Sequence, residues 1–515
     1  MKKNLKILII AAIAAVLLLG LMLVLIFAPK GEGSNGAASF DEGVAMSVST
    51  DKNGVHQAKI KTNEKGEIEN NSYGTLISYV PADISKIHIE NGKGTLDITS
   101  YTPKNEKGET DATKYTIEGF EDFDLQPGIA DEIASNAASL EFSKVMTLDK
   151  NKAGDYGLEK PRTTATITYN DKTKSIVYVG NDAPQGAGTY VKFGDGDEVY
   201  LVSADAVSAF EYGLTDLMSL TINDSAADND NSQASSIVIS GSNFPKAIEL
   251  KPNSGEKVSA SYVMTSPVEC YANENESSLV DGAIRGLYAE SVKMVNPSDS
   301  QLGDLGLKNS YARIKAVYPD VTVDIIASKP DGEGKVCLMK NGGNVVYVMT
   351  SEKLPWVVTS YEKLVSEYVL YPKMSSLSSV SVNDGNKTYD FNLATKKVTS
   401  KDSDGSDTTS STTTVKCGNK ELNLDYFSTF YQNMAMMEFA DVKSASASGT
   451  PVFTVKYTYS SDGTSDTVAF YSAGDNKYIA SVNGTSMGHV YQSKVKSLIN
   501  QAGQIAQNKE VESLL

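Results

Sequence analysis

Residues 157–169 read GLEKPRTTATITY, and this stretch decides the fold that the sequence predicts. A Gly-Leu turn is followed by a run in which the apolar residues Ala165, Ile167 and Tyr169 alternate with threonines. A period of two is typical of a strand that has one buried face and one exposed face. The sequence therefore predicts a glycine turn that leads into a half-buried β-strand.

The same pattern occurs twice more, as GLKNSYARIKAVY at residues 306–318 and as the weaker GTPVFTVKY at residues 449–457. Two further landmarks recur at similar intervals, a glutamate that closes a helical stretch and a tyrosine that closes a strand. These residues are Glu141, Glu290 and Glu438, and Tyr200, Tyr347 and Tyr491. Several features at a near-constant spacing indicate internal duplication, so we predict three divergent copies of one module.

Each copy is predicted to contain short strands, a helix, an antiparallel meander and a closing helix. This order favours an α+β fold, in which helices cover one face of an antiparallel sheet. The predicted fold is an N-terminal transmembrane helix followed by three tandem α+β modules with meander sheets. The helices are predicted at residues 126–140, 204–220, 279–287, 353–369, 424–437 and 492–506. The predicted divisions are a cytoplasmic tip and anchor at 1–30, a flexible spacer at 31–73, and modules at 74–222, 236–372 and 373–515, with a disordered surface loop at 400–414.

Residues 7–28 form an unbroken apolar run, which is long enough to cross a hydrocarbon core because about 20 residues suffice. A cleaved signal peptide is the alternative, but its apolar region is usually only about 7–15 residues long. Lys2, Lys3 and Lys6 precede the run and Lys30 follows it. This charge bias predicts a cytoplasmic N-terminus. We therefore expect a single-pass protein of the cell membrane, held in the bilayer by residues 7–28, with the bulk of the chain extracytoplasmic.

The charge and the cysteine content exclude some classes of protein. The 515 residues carry a net charge of −17, which keeps a surface soluble and repels polyanions. Basic residues do not form a stripe with interleaved aromatics, so nucleic-acid binding is not expected. Three cysteines, Cys270, Cys337 and Cys417, are too few for a disulfide framework. Buried free thiols are the favoured interpretation, and one bridge remains the alternative.

The sequence has few candidates for catalytic or metal-binding residues. His56, His88 and His489 are its only histidines and share no ligand spacing, so we expect no metal or triad role. The glycine-rich residues 180–188 lead into a predicted strand, whereas a phosphate loop leads into a helix. They are therefore expected to form a structural loop, and contact with a ligand is the weaker alternative.

Two acidic stretches and the recurring glutamates are further candidates for ligand-binding residues. Residues 402–407 resemble a calcium loop, but Thr413 stands where an EF-hand needs glutamate. Residues 195–198 are expected to be a hairpin turn. Glu141 and Lys144 are predicted to pair on a helix surface at a spacing of three residues. No hydrolase motif of the Gly-x-Ser-x-Gly, His-Glu-x-x-His or framed Ser-x-x-Lys type is found, so no catalytic residue, cofactor or metal is predicted.

The stretch from Tyr156 to Val202 resembles a bacterial family that is described only as a domain of unknown function. The resemblance is carried by GLEKP at 157–161, VGNDAP at 179–184, TYV at 189–191 and VYLV at 199–202. Members of that family are membrane-anchored and are typically encoded beside ABC-type transporter genes of the gliding-motility-like type. The resemblance is good in the first module, partial in the second and faint in the third. It implies an envelope component that works with ABC transporter subunits, and it supplies no catalytic residue.

These observations predict a non-catalytic, membrane-anchored extracytoplasmic scaffold or accessory protein. Duplicated modules with divergent loops extend a surface more readily than they assemble one active site. Two alternatives stay open, a cell-envelope hydrolase that acts on wall polymer and a polysaccharide-binding surface protein. The single Trp356 argues mildly against sugar binding, since sugar platforms rely on aromatic side chains.

Overall fold

The structure is a computed structural model that describes residues 43–104, 111–149, 152–228, 230, 232–401, 407–443 and 445–515. The predicted membrane span at residues 7–28 lies outside the described residues. Within the part of the chain that is described, no helix combines the length and the apolar character needed to span a bilayer.

The predicted α+β class is wrong, because the protein is mostly β-sheet, with 42% strand and 19% helix. The helices predicted at 204–220 and 353–369 are each broken into short helical segments in the structure. In the first of them Gly213 is extended between the helical residues 205–211 and 214–217. In the second, Thr359 and Ser360 are extended between the turns. Apolar residues at helical spacing therefore overstated the helix content.

A hairpin precedes the first large sheet, within the range predicted as a flexible spacer. Its strands are β1 (Met46–Thr50) and β2 (His56–Ile60), which pair antiparallel. Lys174 donates its backbone N–H to the carbonyl of Gly54, and Val44, His56 and Ala58 are buried. The described part of the spacer is thus folded against the first sheet, because its few apolar side chains are covered there.

The first large sheet contains nine antiparallel strands. They are β3 (Gly74–Ser78), β4 (Ile84–Asn91), β5 (Gly94–Tyr101), β6 (Lys114–Ile117), β7 (Ser139–Thr147), β8 (Thr163–Tyr169), β9 (Lys174–Asp182), β10 (Thr189–Phe193) and β11 (Glu198–Val202). Their order across the sheet is β3-β7-β11-β10-β9-β8-β4-β5-β6. The helices of this part are α1 (Ile129–Ala138), α2 (Asp205–Ser208) and α3 (Leu214–Leu217).

The second large sheet also contains nine strands. They are β12 (Ser236–Ser240), β13 (Ile248–Pro252), β14 (Tyr262–Ser266), β15 (Cys270–Tyr271), β16 (Ser291–Val295), β17 (Ala312–Val317), β18 (Thr322–Ala327), β19 (Lys335–Lys340) and β20 (Val345–Thr350). Their order is β16-β20-β19-β18-β17-β12-β13-β14-β15. The helices are α4 (Glu274–Gly282), α5 (Asp299–Asp304), α6 (Pro355–Val358) and α7 (Tyr361–Leu364).

The third large sheet contains eight strands. They are β21 (Leu377–Asn383), β22 (Thr388–Lys401), β23 (Asp407–Cys417), β24 (Lys420–Glu421), β25 (Phe453–Tyr459), β26 (Ser465–Gly474), β27 (Lys477–Val482) and β28 (Thr485–Tyr491). Their order is β28-β27-β26-β25-β21-β22-β23-β24. The helices are α8 (Leu424–Ala435) and α9 (Gln492–Ala506). Residues 407–414 of the predicted disordered loop lie in β23 and pair with β22.

The three sheets share one strand order. In each of them a four-strand meander is followed across the sheet by the first strands of the same part of the chain, as in β11-β10-β9-β8-β4-β5-β6. The corresponding strands are β20-β19-β18-β17-β12-β13-β14 in the second sheet and β28-β27-β26-β25-β21-β22-β23 in the third. In the third sheet the equivalent of β7 is reduced to a single bridge between Asp441 and His489.

The glycine turns that precede the meanders have a common conformation. Gly157, Gly306 and Gly449 have φ angles of 69°, 69° and 81°. Residues other than glycine rarely adopt such positive φ angles. Gly157 also lies against the glycine-rich stretch, since a Cβ on it would come 2.5 Å from Asn181 Oδ1. A Cβ on Gly180 would come 2.1 Å from the carbonyl of Tyr156. The two stretches that carry the resemblance therefore interlock, which is a structural role.

Two large hydrophobic clusters fill the interior, and a small third one contains Leu307, Met339 and Val346. One of the two large clusters contains buried residues of the first and the second sheet, from Val44 to Val365. The other belongs to the third sheet and includes Val258, Val369 and Leu370. The second and third sheets thus share apolar contacts where their linker passes.

Candidate functional site: the joints between the sheets

The first joint connects the first and second sheets through residues 217–222. On one side this linker pairs with residues 124–126 of its own part of the chain, with a bridge between Leu125 and Met218. On the other side it pairs with residues 287–289, with a bridge between Thr221 and Tyr288. Its backbone hydrogen bonds are Gln126 N–H to Leu217 O, Ser219 N–H to Asp124 O, Ile222 N–H to Leu287 O and Ala289 N–H to Leu220 O, each 2.8 Å.

The second joint, at residues 364–369, repeats this arrangement. The linker pairs with residues 271–273 through a bridge between Ala272 and Val365, and with residues 437–439 through a bridge between Tyr368 and Glu438. Its hydrogen bonds are Asn273 N–H to Leu364 O (2.8 Å), Ser366 N–H to Tyr271 O (3.0 Å), Val369 N–H to Met437 O (2.9 Å) and Phe439 N–H to Glu367 O (3.0 Å). Each linker is therefore a short segment that is hydrogen-bonded on both sides.

A pocket of about 130 Å³ lies at the first joint. Its acidic residues Asp122 and Asp124 precede Leu125, the residue that bridges to the linker. Lys340, at the end of β19, and Asn344 and Tyr347, from the turn and the following strand, form another wall. The pocket therefore holds carboxylates and a lysine at the meeting point of two sheets.

A pocket of about 290 Å³ lies at the equivalent place in the second joint. Glu269, Cys270 and Tyr271 precede Ala272 just as residues 122–124 precede Leu125. The opposite wall again comes from a meander turn, with Asn483 and Met487. The same site is thus built twice with different side chains.

The second pocket has an ordered polar wall. Asp466 accepts a hydrogen bond from the Tyr459 hydroxyl (2.6 Å) and another from Asn483 Nδ2 (2.8 Å). Burial raises the pKa of the Cys270 thiol and of the Tyr271 hydroxyl, each to about 12. Both groups are therefore neutral near pH 7, so Cys270 offers a thiol and not a nucleophilic thiolate.

A further cavity of about 260 Å³ lies beside the second pocket and shares Tyr271, Val369 and Leu370 with it. Tyr368 and Tyr371 also line this cavity, and their rings meet edge to face at 5.5 Å between centroids. The second joint therefore has two adjoining cavities with an aromatic wall.

The histidines have separate partners. His88 Nδ1 lies 2.8 Å from Asp97 Oδ1, and this hydrogen bond raises the pKa of His88. His489 Nδ1 lies 2.7 Å from Asp441 Oδ1. Burial alone would raise the pKa of Asp441, but the bonds from Lys477 and His489 hold it well below its usual range. Across the described ranges, no group of three or more His, Cys, Asp or Glu side chains is arranged to hold a metal ion.

His56 is buried between the hairpin and the first sheet. Its ring stacks on Tyr79 and Tyr169 at 5.9 and 5.5 Å between centroids. Its Nδ1 lies 3.1 Å from the Ser175 hydroxyl, which accepts a bond from the Tyr169 hydroxyl. This geometry suits a neutral imidazole, because Ser175 then donates to Nδ1. Burial lowers the pKa of His56, and the charge of Asp171 partly opposes that shift.

We therefore expect the docking of the hairpin to weaken in acid. The pKa of His56 in the folded state lies below the value of about 6.5 that an unfolded chain has. The contribution of His56 is then complete above about pH 6.5 and is lost as the pH falls towards the lowered folded pKa. Hydrogen exchange of residues 56–60 should be several-fold faster at pH 5 than at pH 7.5, after correction for intrinsic rates. His56→Phe should remove this difference, and a difference that persists in that variant contradicts the assignment.

The recurring glutamates do not form equivalent sites. Glu290 contacts Lys335, Lys353 and Thr350, and the bond to Lys335 is the main cause that lowers its pKa to about 2. Glu141 lies in β7 and not on a helix. The predicted helix-surface pair with Lys144 is wrong, because residues three apart in a strand lie on opposite faces.

The recurring tyrosines also differ in their surroundings. Tyr200 and Tyr347 are buried, whereas Tyr491 is 55% exposed. The third copy therefore lacks the buried tyrosine at this place.

The other predicted candidates are structural where the structure describes them. Residues 180–188 include the end of β9 and a short 3-10 turn, and Asp182 bonds to Arg162 and Thr189, each at 2.8 Å. Asp195 donates its backbone N–H to Gln57 and so helps to hold the hairpin. Residues 402–406 of the other acidic stretch lie outside the described residues. Cys270, Cys337 and Cys417 are free thiols.

Sequence reasoning missed the residues of the joint pockets. One signal was available: Asp122 stands three residues before Leu125, and Glu269 stands three residues before Ala272. Leu125 and Ala272 each form a single β-bridge, and a single bridge produces no periodic pattern in the sequence. Only the pairing of the linkers brings these side chains opposite the meander turns.

Comparison with known protein families finds a match over the part of the chain that includes the first joint. The family model described as Domain of unknown function (DUF4340) matches residues 116–276. The match includes the Gly157 turn, the first linker and residues 122–124, and it ends in α4. The resemblance to a domain of unknown function is thus confirmed for this part of the chain. No curated protein and no solved structure matches the chain.

Proposed function

We propose that this chain is a non-catalytic scaffold that binds a partner at the joints between its sheets. The observation that carries the proposal is the repetition of one joint and one pocket with different side chains. Phe123 and Asp124 of the first pocket correspond to Cys270 and Tyr271 of the second. A joint whose backbone geometry is kept while its pocket side chains vary suits a binding surface. Other repeat proteins also present extended binding surfaces.

We further propose that this scaffold is held at the outer face of the cell membrane and that its partner is an ABC transporter subunit. The apolar run at residues 7–28 and the lysines before it support the membrane attachment. The family resemblance of residues 157–202 supports an ABC transporter subunit as the partner. The strongly acidic surface suits an extracytoplasmic protein that must stay soluble beside the bilayer.

Site-specific photo-crosslinking of the full-length chain in the cells that produce it tests this function. The photoreactive residue would replace Tyr288 at the first joint or Tyr371 beside the second, which are 57% and 38% exposed. Tyr101, which is 48% exposed at the end of β5, is the matched control. We expect the membrane subunit of an ABC transporter to crosslink at the joints and not at Tyr101. Equal crosslinking at all three positions, no crosslink, or cleavage of wall polymer by the purified chain would overturn the proposal.

A further inference from the structure

The pocket at the second joint has two carboxylates in its lining. Glu269 and Asp466 line it, and of the described residues that line it none is a lysine, an arginine or a histidine. Its other lining residues include the apolar Val263, Val369 and Leu370 and the polar Asn483 and Thr485. Carboxylates next to apolar surface are stabilised by a nearby positive charge.

In the first joint, a lysine, Lys340, lines the equivalent pocket. Lys340 is the last residue of β19 and Val482 is the last residue of β27. Each is followed by an asparagine whose backbone N–H bonds to the preceding meander strand, Asn341 to Asp324 O (2.9 Å) and Asn483 to Thr467 O (2.8 Å). The two positions are therefore equivalent. The first pocket has its own cation, and the second has valine in its place.

The carboxylate of Asp466 is oriented for a ligand. The Tyr459 hydroxyl and the Asn483 amide each bond one of its two oxygens, so its orientation is fixed. A carboxylate oxygen can accept more than one hydrogen bond, so both oxygens can still accept from a donor in the pocket. Glu269 is exposed at the rim. An incoming cation would thus meet one fixed and one adaptable carboxylate.

We propose that this pocket binds the ammonium or guanidinium group of a lysine or arginine on an extended segment of the partner. The inference rests on the proposed scaffold function and names the chemistry that the second joint recognises. The adjoining cavity, with the rings of Tyr368 and Tyr371, receives the neighbouring residues of the same segment. Tyrosine faces also attract cations.

Selection from a random 12-residue peptide display library on the purified full-length chain tests this inference. The bound peptides should be enriched in lysine and arginine relative to the unselected library. Affinity for a selected peptide should fall about tenfold or more in Glu269→Gln, and also in Val482→Lys, which supplies the cation of the first joint. Glu333→Gln, which neutralises an exposed carboxylate outside both joints, should leave the affinity unchanged. Unchanged thermal midpoints would show that the variants remain folded.

Several results would overturn the inference. Selected peptides without enrichment in basic residues, or equal affinity for wild type, Glu269→Gln and Val482→Lys, would show that charge at this pocket is not recognised. Full competition by free spermidine at the peptide's concentration would assign the pocket to a small polyamine. If crosslinking at Tyr288 and Tyr371 still gives the transporter subunit while the peptides fail, the scaffold function stands and the cation site does not.

Discussion

Replacement of Asn433 by alanine is expected to lower the free energy of unfolding of the third sheet by about 2–4 kcal/mol. Asn433 lies on α8 and is only 2% exposed. Its Nδ2 donates to Gln501 Oε1 and to the carbonyl of Glu512, both at 2.9 Å, and its Oδ1 accepts from Leu514 N–H at 2.8 Å. One side chain thus joins both helices of the third sheet to the C-terminal residues.

The large effect follows from what the substitution leaves behind. Without Asn433, Gln501 Oε1 and Leu514 N–H each lose the partner that Asn433 provides, whereas Glu512 O keeps the hydrogen bond from Gln501 Nε2 at 2.8 Å. Each buried polar group without a partner costs about 1–3 kcal/mol. Part of that cost is recovered where water reaches the end of the chain.

Urea unfolding, monitored by hydrogen exchange of β21 to β28, would measure the change in the free energy of unfolding. Asn386→Ala, in an exposed turn of the same sheet, is the control and should change stability by less than about 0.5 kcal/mol. Because Asn433 and Gln501 share partners, the double variant with Gln501→Ala should cost less than the sum of the two single variants. An Asn433→Ala protein as stable as the Asn386→Ala control would show that this network contributes little.

Replacement of Ser366 by proline is expected to weaken the second joint by about 3 kcal/mol. Proline removes the N–H that donates to Tyr271 O at 3.0 Å. The residue before it, Val365, has φ −68° and ψ 139°, a conformation that a following proline accepts. The cost therefore comes from the lost hydrogen bond and from the ring beside Tyr271, while the preceding turn is preserved.

Ser366→Ala is the matched control for this change. It removes the hydroxyl that accepts from Tyr368 N–H at 3.2 Å but keeps the backbone N–H, so a loss of only roughly 0.5–1 kcal/mol is expected. The difference between the two variants isolates the backbone bond. Limited proteolysis would detect cleavage near residues 364–369 in Ser366→Pro alone. Equal resistance of the two variants would mean that the linker is held mainly by its side chains.

Local patterns in the sequence predicted several strands and the last helix well. The strands predicted at residues 189–193 and 198–202 are β10 and β11, and the helix predicted at 492–506 is α9. These segments have a clear period or clear turn residues at their ends. The turn at Gly157 was also recognisable, since its positive φ angle favours glycine.

The fold class and the site depended on contacts that leave no local signal. Trp356 and Leu364 carry an apolar pattern that predicts one long helix, but both are fully buried in separate short turns under the second sheet. Burial of these side chains decided the backbone there more strongly than helix propensity. The joints consist of single bridges between residues far apart in the chain. A single bridged residue has no periodic pattern around it, so the joints could not be predicted from the sequence.

The pairing of each linker on both sides has a mechanical consequence. A force that pulls the third sheet away from the first passes through residues 217–222 and 364–369, and it loads backbone bonds on both flanks of each linker at once. Extension then requires each linker to slide past two neighbours together. A pull between the first and third sheets is therefore resisted by four backbone hydrogen bonds at each linker.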